Sequence, residues 1–295
     1  MTGAPRRPRD RISNALRNRN RVAPISLRVI GNGPTVLLAT GLGLAAHTFN
    51  DLTRQLTKDH TVITFDRPGL GHLSDMPRHD PPTLNDEINR VVTALEMAER
   101  RGAPLPATIV GHSWAGFIVE AVARTHPDLV AGVVILDGSI EPDLPVPARR
   151  RRMLLRLGRF LIRYSVPHSP LRRFGAACIE DAAYLDLATE LHRLRAEKSL
   201  PAIPVHLLVA VWHRLLPHNR NWIKQQRDLA ETLNTENPRH NLVTVQVVQW
   251  AGHHLAGWAP TTVAEAIRNV ESTHNTEKQA TQQFRLERNE MPPQR

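Results

Sequence analysis

Seven short apolar runs punctuate the chain, at 26–30, 35–39, 61–65, 107–110, 132–136, 205–211 and 242–248. Their length and their β-branched residues mark them as strands. The later runs are unbroken rather than alternating, the pattern of strands covered on both faces. Between them, apolar residues fall at helical spacing near 50–57, 84–101, 114–125, 221–233 and 261–271, supplying the covering helices. The predicted class is α/β with a mostly parallel sheet. Gly31-Asn32-Gly33-Pro34 joins the first two runs, and its Asn-Gly step suits a tight hairpin, so the sheet should open with an antiparallel pair.

The alternation fails from Gly138 to Pro204, where no strand pattern occurs and Arg-rich amphipathic stretches are broken by Pro167, Pro170 and Pro201. This reads as a helical insertion, 138–203. Within it, residues 149–164 set arginines around an apolar stripe and predict a lid helix. Such a stripe packs inward beneath a solvated basic face, or else serves an apolar acyl pocket, an acidic substrate or an anionic membrane surface. Residues 1–23 are rich in Arg, Pro and Asn and 272–295 are polar, so both ends are expected to be disordered tails around a domain at 24–271.

Composition narrows the classes. With 295 residues, 41% of them apolar, the chain can bury a sizeable core. The single cysteine, Cys178, forms no internal disulfide, and no Cys or His cluster has zinc-like spacing. No apolar run approaches the ~20 residues that span a bilayer, and the N-terminus lacks the apolar stretch of a secretory signal, so the expected location is cytoplasmic. The net charge of +10 is largely a tail: residues 1–21 hold seven Arg against Asp10, leaving +4 for the rest. Thirteen aromatics offer little for base stacking, which counts against nucleic acid as the main partner. Peripheral contact with an anionic membrane through the Arg-rich tail and lid stays open.

The chemistry centres on Gly111-His112-Ser113-Trp114-Ala115-Gly116, which follows a predicted strand and opens a predicted helix. Small residues at 111 and 115 permit the tight turn of a nucleophile elbow, which lifts the Ser113 hydroxyl above the sheet edge and puts helix N-terminal amides beneath it. The plainer alternative is a serine that merely caps a helix.

Together with the loops that follow the other strands, this motif resembles the α/β-hydrolase superfamily over roughly 24–270. The resemblance implies that fold, a mostly parallel central sheet flanked by helices, with a helical lid inserted after the sixth strand. Gly252-His253-His254 looks like the family's Gly-His loop before the last helix, which makes His253 the general base and His254 a bystander. After the next-to-last strand, residues 209–220 contain no carboxylate. Asp137, at the end of the preceding strand, is therefore the acid implied, with Glu141 and Asp228 in reserve. Thr40-Gly41-Leu42-Gly43 resembles the oxyanion loop, with Thr40 where the family usually has His, and the amides of Leu42 and Trp114 are the expected donors. Asp66-Arg67-Pro68-Gly69-Leu70-Gly71 is similar to a family turn and is read as structural.

The implied activity is that of an esterase-like or lipase-like serine hydrolase acting on a small acyl or ester substrate, apolar in character, without metal or organic cofactor. The other reading is a non-catalytic ligand-binding or interaction protein that keeps the fold.

Overall fold

The computed structural model describes residues 24–141, 147–213, 216–237 and 242–290. The predicted basic tail at 1–23 lies outside them. Seven strands, β1 (Ser26–Gly31), β2 (Thr35–Ala39), β3 (Thr61–Asp66), β4 (Ala107–His112), β5 (Val130–Leu136), β6 (Val205–Val211) and β7 (Val243–Gln249), form one sheet in the order β1-β3-β2-β4-β5-β6-β7. All neighbours are parallel except β1 with β3. The chain is an α/β-hydrolase fold.

Side chains alternate along the central strands between two apolar layers. Leu37, Ile109, Val133 and Ile135 pack into one, under α2 (Leu84–Glu99), α3 (Ala115–Thr125) and α6 (Tyr184–Glu197). Val36, Leu38, Val110, Val134 and Leu136 pack into the other, under α1 (Asn50–Leu56) and the start of the last helix. Burial of both faces explains why these strands read as unbroken apolar runs. The order of the strands reverses between β2 and β4, and the crevice at such a reversal is where α/β sheets carry their sites.

Three expectations are corrected. The opening strand is antiparallel but pairs with β3, not β2: the Thr61 N–H donates to the Pro34 carbonyl and its hydroxyl to Gly33, so the start of β3 is tied into the 31–34 turn and the strand lies between the other two. The insertion follows the fifth strand rather than the sixth, because a single antiparallel strand precedes the parallel set. The polar segment from 272 onward is helical: after the short α8 (Leu255–Trp258), α9 runs Pro260–Glu290. No Gly or Pro interrupts the sequence between Pro260 and Pro292, and Glu, Lys, Gln, Ala and Arg there favour helix without needing an apolar face.

The insertion contains α4 (Ala148–Tyr164), α5 (Pro170–Asp181) and α6, and α7 (Pro217–Glu236) follows β6. Helices α4 and α5 pack closely at Gly158 and Gly175, where an added Cβ on either would lie 2.8 or 2.9 Å from the other's carbonyl oxygen. The apolar side chains of α4 divide: Gly158 and Ile162 are buried and Leu154, Leu155 and Leu161 half-buried, while Met153, Leu157, Phe160 and Tyr164 are exposed. No helix among the described residues is long and apolar enough to cross a membrane.

Candidate active site

In the β4–β5 pair His112 lies in register with Leu136, so Ser113 and Asp137 leave adjacent strands at the same level. Ser113 adopts φ 53°, left-handed backbone that a serine occupies where the turn imposes it. Its N–H donates to the Leu136 carbonyl, and its carbonyl accepts from Gly116 and Ser139, which fixes the bend. Gly111 is required here: a Cβ would stand 2.5 Å from the Ala115 carbonyl oxygen. Ala115, the other small residue of the turn, keeps its methyl fully buried.

The loop after β7 delivers His253 to this corner. Its Nδ1 lies 2.6 Å from Asp137 Oδ2 and its Nε2 lies 2.9 Å from Ser113 Oγ. The carboxylate assigns the ring proton to Nδ1, leaving Nε2 to accept from the serine hydroxyl. Asp137 is itself buried and held: Oδ1 accepts from the Ala210 N–H at 3.0 Å and from the Trp222 indole N–H at 2.8 Å. Glu141 instead pairs with Arg195 and Asp228 with Lys224, each engaged away from the imidazole. His254 turns from the serine, edge-on to His112 and stacked with Phe49.

His112 packs behind the His253 ring. Its Nε2–H donates to the His253 carbonyl at 2.9 Å, and the two rings lie 4.8 Å apart. Burial holds the His112 imidazole down at about 4, and the neighbouring His253 adds to the effect. It therefore stays neutral at pH 7.

The loop after β2 is anchored by Arg67. Its guanidinium donates to the Thr40 carbonyl (2.7 Å), the Thr40 hydroxyl (2.9 Å) and the Gly41 carbonyl (2.7 Å), and stacks 5.0 Å from the Trp114 ring. The same guanidinium makes two bonds, 2.7 and 3.0 Å, to Glu180 on α5, whose Oε2 also accepts the Gly43 N–H at 2.8 Å. Burial pushes the Glu180 carboxyl up, but Arg67 outweighs it and holds the group below its ordinary range. Leu42 is thus flanked by two anchored residues. Among the described residues, the amides of Leu42 and Trp114 donate to no acceptor in the fold. The Thr40 hydroxyl closes the turn by donating to the Leu44 carbonyl at 2.9 Å.

Sequence reasoning missed His112, Trp222, Glu180 and the reach of Arg67. It also missed a rim of three exposed tryptophans on the same edge of the sheet: Trp212 follows β6, Trp250 follows β7, and Trp258 lies in α8, with ring centroids 6.1 and 5.9 Å from Trp212. Among the described residues no three His, Cys, Asp or Glu side chains converge as a metal site requires.

A sequence model of the alpha/beta hydrolase family matches residues 36–268. Pimeloyl-(acyl-carrier protein) methyl ester esterase of Chromobacterium violaceum is 30% identical over 110 residues, 37% of this chain and 39% of that protein. Polyketide synthase ThaQ of Burkholderia thailandensis is 32% identical over 117 residues, 39% of this chain and 5% of that protein. The chain thus spans less than half the length of these relatives. A thermophilic esterase from Thermogutta terrifontis superposes with a TM-score of 0.59 at 21% identity, covering 85% of this chain and 93% of the other. That likeness is one of fold.

Proposed function

The chain belongs to the alpha/beta hydrolase family, and on that premise we propose that it is a serine hydrolase that cleaves an ester or related acyl bond through an acyl-enzyme on Ser113. The observation that carries this reading is the continuous chain of hydrogen bonds from Ser113 Oγ through His253 to Asp137, 2.9 and 2.6 Å. As Ser113 Oγ attacks the acyl carbon, its proton passes to His253 Nε2, and the developing imidazolium is stabilised by Asp137. The tetrahedral oxyanion sits against the Leu42 and Trp114 amides, each such donor contributing about 2.7–4 kcal/mol. Collapse expels the alcohol, which takes the proton from His253. Water then attacks the acyl-enzyme with His253 again as base, releasing the acid and restoring Ser113. The route draws on no cofactor.

Arg67 and Glu180 are positioning residues in this scheme, holding the Thr40–Gly43 loop so that the Leu42 amide faces the developing oxyanion. The insertion acts as a lid whose α5 is tied to that loop, on a catalytic domain at 24–271. The tryptophan rim favours an apolar acyl or alcohol portion, and the esterase among the relatives agrees with an ester as the bond cleaved. In this reading Asp137 serves as the acid and the loop at Thr40 is held by its own hydroxyl and by Arg67, so neither motive of the binding-protein alternative is needed.

Exposure to a fluorophosphonate probe with mass mapping of the adduct tests the proposal without knowledge of the substrate. Labelling at Ser113 that disappears in Ser113→Ala is expected. An unlabelled protein with an intact fold by circular dichroism would return the chain to the binding reading.

A further inference from the structure

Helix α4 has three faces. One packs on α5 through Gly158 and Ile162. A second carries Met153, Leu157, Phe160 and Tyr164, spaced 4-3-4 so that they fall in one stripe, and this stripe is open to solvent: Met153 and Phe160 are 58% exposed and Tyr164 68%. The third is cationic. The helix contains seven arginines and no carboxylate. Arg150, Arg151 and Arg159 pair with Asp181, Asp186 and Asp80, whereas Arg149, Arg152, Arg156 and Arg163 pair with no carboxylate among the described residues. The turn into α5 and its first residues expose Val166, Leu171 and Phe174 as well, and seven of the twelve large apolar side chains exposed among the described residues lie between 153 and 174.

We propose that this face of α4 and the start of α5 docks on an anionic lipid surface. An exposed stripe of long aliphatic and aromatic side chains flanked by unpaired arginines, on a helix of low overall hydrophobicity, is what lies in the plane of a bilayer interface. The apolar side enters the headgroup boundary and the guanidinium groups meet phosphate. Charge complementarity selects anionic over neutral lipid. An acidic protein would satisfy the arginines, but the apolar residues stand on a convex helix rather than in a groove, and a convex stripe suits a deformable apolar medium. The face lies outside the Ser113 site, so its test needs no turnover and stands apart from the proposed hydrolysis. Helix α5 nonetheless links the two: it carries Phe174 at one end and Glu180, which anchors the oxyanion loop, at the other.

The test is cosedimentation of the full chain with vesicles of phosphatidylcholine alone or with one third phosphatidylglycerol, for wild type, Leu157→Ser/Phe160→Ser and Arg152→Gln/Arg156→Gln. Wild type should bind the mixed vesicles and not the neutral ones. Partition should fall about thirtyfold on removal of two arginines, at roughly fivefold per cation, and at least tenfold on removal of the two apolar groups. Far-UV circular dichroism and the urea midpoint of both variants should match wild type, which shows that they fold. Wild-type partition in both variants would assign the binding to the basic N-terminal residues and overturn the proposal. So would failure of the wild type to bind, retention on an acidic polypeptide without vesicle binding, or a Phe160-dependent dimer in sedimentation equilibrium.

Discussion

Replacing Glu180 by glutamine removes one charge from a pair that is almost wholly buried, with Arg67 2% and Glu180 1% exposed. Breaking a buried pair from one side costs about 3–5 kcal/mol, because the other charge stays in the interior. Here Arg67 keeps two carbonyls and the Thr40 hydroxyl, and the glutamine oxygen can still receive the Gly43 N–H, which places the loss at about 3 kcal/mol. That is a substantial part of the roughly 5–15 kcal/mol of a folded domain, and a urea midpoint reads it directly. Removing both charges in Arg67→Met/Glu180→Leu separates stability from positioning. The midpoint should recover, since no unpaired charge remains, yet Thr40, Gly41 and Gly43 lose every long-range anchor that aims the Leu42 amide, and Thr40 and Gly41 keep only their local bonds to Leu44. Hydrolysis of a short-chain p-nitrophenyl ester should therefore stay down by about a hundredfold in kcat, the size of a lost oxyanion donor. Wild-type midpoint and kcat in Glu180→Gln, or recovery of kcat together with stability in the double variant, would refute the assigned role.

Asp137→Asn should fold normally and lose about 10⁴ in kcat, since a neutral amide neither fixes the Nδ1–H tautomer nor stabilises the imidazolium; full activity would reassign the acid. Trp222→Phe removes one of the two further donors to that carboxylate and should lower kcat more gently, by about tenfold, with an effect equal to that of Asp137→Asn counting against a purely supporting role. His112 titrates at about 4 in the fold against 6.5 for a free imidazole. Between those values the unfolded chain binds the extra proton, so stability should rise with pH from 4 to 6.5 by about 3 kcal/mol from this group. His112→Gln should flatten that limb in urea titrations at pH 4.5 and 6.5, and an unchanged slope would remove His112 as its source.

The parts of the site legible in the sequence are those whose signal is local. The elbow around Ser113 and the Gly252-His253 loop each carry their geometry within six residues, and Asp137 is the acid that the family resemblance implies where residues 209–220 offer no carboxylate. Arg67 was visible only as part of a turn, because its partner Glu180 lies 113 positions away in a segment without a motif. Trp222 and His112 act through single hydrogen bonds that leave no pattern. The same logic governs the fold. Strand periods located all seven strands, but the pairing of β1 with β3 depends on the bonds of Thr61 to Gly33 and Pro34, and hydrophobic pattern alone could not say that the α4 stripe faces outward.

The span of these contacts also orders events during synthesis. Ser113 and Asp137 come from neighbouring parallel strands, but His253 is 140 positions beyond the serine and reaches it only after β7 has docked on β6. Contacts of such separation form late, once the loops between them have closed. On the proposed mechanism, a growing chain therefore holds Ser113 and Asp137 long before His253, and the Ser113 hydroxyl meets its base only once the final strand of the sheet is in place.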